Sequence, residues 1–138
     1  MAKKKATKDY VFAVGRRKSS IARVRLNQGR GQTLVNSTTV EEYFKDVDAS
    51  TKLWSKPFQV TKTEGKYWVS AKIAGGGKKG QLESLVHGIA RALVATDSDA
   101  HRLALKKHGL LTRDSRTRER RKVGTGGKAR RRKQSPKR

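Results

Sequence analysis

The sequence predicts an α+β domain, a small sheet with helices packed on one face, followed by a long basic tail. Three observations carry this. Strand-like segments with period-two alternation fill much of the chain up to Ile73, interrupted by short helical stretches. An amphipathic helix follows, in which Leu82, Leu85, Val86, Ile89, Ala90 and Leu93 recur at i, i+3, i+4, i+7, i+8 and i+11. From Thr112 onward the only large apolar residue is Val123, so that stretch has nothing to bury. Strands, short helices, a strand and then two helices in this order differ from the regular alternation of a doubly wound sheet.

The first element expected is the β-prone run YVFAV, Tyr10 to Val14, ending at Gly15. The basic turn GRRKSS leads to IARVRL, where Ala22, Val24 and Leu26 alternate with Arg23 and Arg25, so one sheet face carries arginines and is suited to phosphate. NQGRG reads as a hairpin turn and QTLVN as a third strand. Thr38 with Glu41, and Thr39 with Glu42, both fit a capping box for a short helix through EEYFK. Asp48 is placed to cap a second short helix across Lys52 to Ser55, stopped by Pro57. Phe58 and Val60 alternate, Glu64 and Gly65 turn the chain, and Tyr67, Val69, Ala71 and Ile73 alternate with Trp68, Ser70 and Lys72 in the clearest strand. After the amphipathic helix, Asp97 or Ser98 caps a last helix through RLALKK, and Gly109 stands at its C′ position.

The chain has 138 residues, 35 Lys and Arg against 11 Asp and Glu, a net charge of +24 and no cysteine. Self-repulsion on that scale opposes compaction unless a polyanion neutralises it. The absence of cysteine excludes disulfides, zinc ribbons, iron–sulfur ligation and thiol catalysis. No apolar run approaches the roughly 20 residues that span a bilayer, and the tail lacks the Trp, Phe and Leu face of an interfacial helix. The charge divides the chain into a basic arm (1–8), a moderately basic globular domain (9–111) and an extended basic tail (112–138). The tail holds 13 Lys and Arg against Asp114 and Glu119. It is either disordered alone or ordered by a partner.

Gly75, Gly77 and Gly80 satisfy G-x-G-x-x-G between a strand and a helix, the spacing of a dinucleotide turn. That reading needs a second strand ending in an acidic residue about 20 positions on. Asp97 and Asp99 stand at that distance, but the helix runs directly into TDSDA, the next cap. A phosphate loop is excluded as well, because Gln81 follows Gly80. What remains is a strand-to-helix turn, either without a ligand or holding a phosphate on Lys78, Lys79 and the helix N-terminus. The chain has no thiol to partner His87, His101 or His108, and a metal site would have to draw on scattered Asp and Glu, so neither an enzyme nor a cofactor or metal is expected. Trp68, beside Lys72, is a candidate for base stacking, whereas Tyr67 belongs with the core.

GRRKSSIARVRL (15–26), VN followed by EEYF (35–44), GGGKKGQLESLVHGIARAL (75–93), LKKHGLLTRDSRTRERRK (105–122) and KARRRKQSPKR (128–138) together resemble the bacterial-type S-nine family of the small ribosomal subunit. The match runs in order over nearly the whole chain. The resemblance implies a fold like the second domain of ribosomal protein S-five, with a left-handed βαβ crossover. It implies a place among other head proteins of the 30S subunit, on the 3′ major domain of 16S rRNA. It also implies a tail tip, Lys137 and Arg138, that reaches the anticodon stem-loop of the peptidyl-site tRNA. The family commonly ends in Gln-Phe-Ser-Lys-Arg; here Gln134, Ser135, Pro136, Lys137 and Arg138 drop the aromatic and add a proline. Before GRRKS this chain has Ala-Val where the family usually has Gly-Thr.

On this reading Arg16, Arg17, Lys18, Lys78 and Lys79 of the body face rRNA. In the tail the expected contacts are Arg113, Arg116, Arg120, Arg121, Lys122, Lys128, Arg130, Arg131 and Arg132, mainly to phosphate. The expected location is the cytoplasmic ribosome, bacterial rather than organellar because no transit peptide precedes the domain. A free-standing nonspecific nucleic-acid binder and a nucleotide-dependent enzyme using the 75–80 loop are the rival readings. Co-sedimentation with 30S particles separates the first, and nucleotide binding that survives high salt would mark the second.

Overall fold

The computed structural model describes residues 9–47 and 52–131. Strand β1 (Tyr10–Arg17) turns through Lys18 and Ser19 into β2 (Ser20–Gln28). Two short strands, β3 (Leu34–Val35) and β4 (Thr38–Thr39), form a second hairpin, and helix α1 (Val40–Tyr43) follows without a break. A 3-10 turn (Leu53–Ser55) continues into α2 (Lys56–Thr61), then come β5 (Tyr67–Ala74), α3 (Lys78–Thr96) and α4 (Ser98–Lys107). The sheet runs β1-β2-β5-β3-β4, with β3 parallel to β5 and the other pairs antiparallel. This is the α+β class expected, a five-stranded mixed sheet with its helices on one face.

Alternation decides which side of each strand faces the helices. Ala22, Val24 and Leu26 of β2 and Val69, Ala71 and Ile73 of β5 are buried, as are all six apolar positions predicted for α3. Arg23, Arg25 and Lys72 point the other way and are exposed. Helix α3 lies across β1 and β2, and α4 and α2 pack along its flank. Its approach to β1 is set by two glycines. A Cβ on Gly15 would run into the Ser84 carbonyl and the Gly88 amide, and one on Gly88 would sit 2.6 Å from Val24 Cγ2. Backbone therefore meets backbone there, which no larger residue allows.

Several local signals act as expected. Thr39, rather than Thr38, caps α1, its hydroxyl accepting from the Glu42 amide at 3.4 Å. Asp97 caps α4 by accepting from the Ala100 amide at 3.1 Å. Beyond the α4 C-terminus, Gly109 N–H donates to Lys106 O (3.0 Å) and Leu110 N–H to Leu105 O (3.1 Å), the paired bonds of a Schellman motif. The β3–β4 turn places Asn36 and Ser37 at φ 49° and 68°, the pattern of a tight hairpin. The Asn36 side chain then prolongs β3 past its end, donating to Ile73 O (3.0 Å) and accepting from Ile73 N–H (2.9 Å).

Two expectations are corrected. Pro57 does not stop a helix; it stands in the first turn of α2, where a missing N–H costs nothing. Phe58 and Val60, whose spacing suggested a strand, lie on that helix, with Phe58 buried. Asp48 lies outside the described residues.

Candidate nucleic-acid interface

The glycine loop closes one end of the sheet. Gly75 and Gly76 have φ of 80° and 65°, and a Cβ on Gly75 would lie 2.5 Å from Ser19 O. Gly75 O accepts from Ser20 Oγ (2.9 Å) and from Gln81 Nε2 (3.0 Å). The glycines thus let the β5–α3 connection lie against the β1–β2 turn, and Gln81 and Ser20 fix it there. Gly77 is the N-cap of α3 and supplies no side chain to its first-turn amides. After α3 the chain passes through Asp97 into α4, so the second strand of a dinucleotide unit does not follow.

A basic groove forms where the β1–β2 turn, the start of α3 and the tail root converge. Its walls are Lys18, Lys79, Gly80, Arg116, Thr117 and Arg118, with Arg17 and Glu83 beneath. Lys18, Lys79 and Arg118 are exposed and form no ion pair among the described residues. Three cations from distant segments thereby line one groove. Arg118 went unnamed among the expected contacts, although it lies in the same R-x-R-x-R run as Arg116 and Arg120.

Arg17 takes a different part. It is 9% exposed, and its guanidinium donates to Glu83 (2.5 Å) and to the Arg116 carbonyl (2.5 Å), with Asp114 at 3.4 Å. In this arrangement it fastens the tail root to α3. Asp114 and Arg116 at the start of the tail are thereby tied to the body. Arg113 reaches toward Lys18 O (3.5 Å), and Leu110 and Leu111 pack against the core. Arg116 grips Asp114 through two bonds of 3.0 and 2.7 Å, which with its own amide holds that carboxyl well below the usual range. The Arg116 side chain nonetheless stays 83% exposed.

His87 joins the same root. Its Nδ1 accepts from the Arg16 amide (3.3 Å), and its Nε2 faces Leu111 O (3.3 Å). Burial lowers its pKa, and the charges of Arg91 and Arg113 press the same way, against the Leu111 carbonyl. Arg16 itself points outward. Lys78 leans back over the body, donating to Tyr43 O (2.9 Å) with its ammonium 3.4 Å from the centre of the Tyr43 ring. Trp68 is half-buried, and the Gly31 backbone lies against its ring, which leaves less of it for a base than expected.

Residues 112–131 contain no helix or strand. Lys122 N–H donates to Lys128 O (3.2 Å), closing a small loop, and Arg130 pairs with Glu119 (2.9 Å). Arg120, Arg121, Lys122, Lys128 and Arg131 are exposed along this path. Arg132, Lys137 and Arg138 lie outside the described residues. Among the described residues no helix is long and apolar enough to cross a membrane.

Residues 15–138 match the family described as Ribosomal protein S9/S16. Over 119 residues the chain is 46% identical to the small ribosomal subunit protein uS9 of Desulfotalea psychrophila (strain LSv54 / DSM 12343), covering 86% of this chain and 90% of that one. The protein of the same name from Cutibacterium acnes (strain DSM 16379 / KPA171202) is 49% identical over 112 residues, 81% of this chain and 64% of its own length. That of Maridesulfovibrio salexigens (strain ATCC 14822 / DSM 2638 / NCIMB 8403 / VKM B-1763) is 42% identical over 121 residues, 88% of this chain and 92% of its own length. The chain, with its basic groove and tail, belongs to the ribosomal protein S9/S16 family.

Proposed function

We propose that the protein is a structural constituent of the small ribosomal subunit that binds rRNA through this groove and through its tail. The observation that carries the reading is the convergence of Lys18, Lys79 and Arg118, from three distant segments, on one groove beside the α3 N-terminus. Phosphate suits such a site, since cations and backbone amides favour the same ligand. The role is electrostatic: the chain neutralises and spaces RNA strands and performs no reaction. We place it in the head of the subunit, on the 3′ major domain of 16S rRNA beside other head proteins in the cytoplasmic ribosome. Lys137 and Arg138 then reach the anticodon stem-loop of the peptidyl-site tRNA.

The experiment is to complement cells lacking the protein with the full chain or with a chain ending at Pro136. Both should co-sediment with the small subunit, and the shortened one should bind peptidyl-site tRNA more weakly. Recovery with mixed nucleic acids instead of subunits would overturn the ribosomal reading, and unchanged tRNA affinity would remove the role of the tip.

A further inference from the structure

We propose that the sheet face left bare by the helices is a second RNA-binding surface. It takes an unpaired RNA segment, with a phosphate on Arg23 and Lys72 and a base against Phe12. This goes beyond the groove and the tail and does not depend on either.

The face is built by register. Arg23 of β2 pairs in register with Val14 of β1 on one side and Lys72 of β5 on the other. Arg25 pairs with Phe12 and Ser70, and Ile21 with Arg16 and Ala74. All of these point away from the helices, and none is acidic. Like charges directly opposite on neighbouring strands destabilise a sheet. Yet Arg23 and Lys72 stand side by side, exposed, with no ion pair among the described residues. Strands about 4.8 Å apart bring both within reach of one phosphate, and an anion there turns the repulsion into a binding site.

Arg25 is already placed, its guanidinium carbon 5.1 Å from the centre of the Tyr10 ring. That leaves the neighbouring Phe12 uncovered at 52% exposure, with Ile21 at 38% on the same face. An acidic protein surface would satisfy the cations, but a nucleotide carries the phosphate and a flat ring in one unit, matching cations and an exposed ring side by side. The base must be unpaired, because duplex RNA presents base edges and not faces.

The test uses the full chain and a uridine oligomer, with an RNA duplex of equal length as control. Ultraviolet cross-linking to the oligomer should mark the peptide containing Phe12, and the duplex should not. The variant Arg23→Gln/Lys72→Gln should reduce the slope of log affinity against log salt by about 0.7, the value of the one single-strand phosphate contact it removes. The variant Lys18→Gln/Lys79→Gln/Arg118→Gln should leave the Phe12 cross-link in place, which separates this surface from the groove. Cross-links confined to 16–18, 78–79 and 113–131, or an unchanged slope in the sheet variant, would overturn the proposal. Chemical cross-linking of Lys72 to a neighbouring protein in the assembled subunit would do the same, by giving the face to a protein.

Discussion

His87 is held in one protonation state by its two neighbours. Only a neutral ring protonated at Nε2 can accept from the Arg16 amide and donate to the Leu111 carbonyl. Its pKa in the fold lies below the 6.5 of the unfolded chain. The unfolded state therefore binds more protons as pH falls, and the stabilisation is complete above pH 6.5 and lost as pH drops through the folded value. The urea midpoint should fall between pH 7 and 5, and His87→Asn, which keeps an acceptor and a donor but does not titrate, should flatten that fall. Equal slopes for the two proteins would reject this role. Arg17→Met removes charged hydrogen bonds worth about 2–3 kcal/mol and should speed tryptic cleavage after Arg113 while leaving the sheet intact. Unchanged cleavage would show that the root is held by other contacts. Within the R-R-K run Arg17 looked like one more RNA-facing cation. Counting inward positions from Ala13 and Gly15 already puts it on the core side, but its partners Glu83 and Asp114 are far away in sequence, so no local spacing announced the pairing.

Helix α3 and strand β2 were legible because each repeats its own period over several residues, with a buried side at every expected position. Helix α2 was not, since it has only six residues, and Phe58 and Val60, two apart, match a strand's alternation while standing on opposite sides of the helix. The β3–β4 hairpin was hidden for a related reason: its strands have two residues each, and the Asn36 side chain does part of the pairing. The closeness of α3 to β1 left only Gly15 and Gly88 as signs, which sequence alone does not pair. Gly88→Ala should force the elements apart and cost about 1–3 kcal/mol, read as a lower thermal midpoint. Leu85→Ala, inside the same packing, should cost about 2–5 kcal/mol. A Gly88 variant as stable as the parent would mean that the helix shifts without loss.

Taken whole, the molecule is a moderately basic body that continues into a more densely basic tail. The polyanionic partner was legible from composition, and the glycine loop's part was half legible: the missing second strand removed a cofactor, but only the structure shows the loop closing against the β1–β2 turn. In residues 117–131 of the described chain, Lys122 N–H is the backbone amide with a backbone partner. Hydrogen exchange on the isolated protein should therefore be fast across that stretch, and slow exchange would mean that it folds without RNA. The central claim, that the groove holds rRNA phosphates, is tested most directly by the salt dependence of binding to 16S rRNA. Lys18→Gln/Lys79→Gln/Arg118→Gln should lower the slope of log affinity against log salt by about 2–3, at roughly 0.7–0.9 per phosphate contact; a slope identical to that of the parent chain would contradict it.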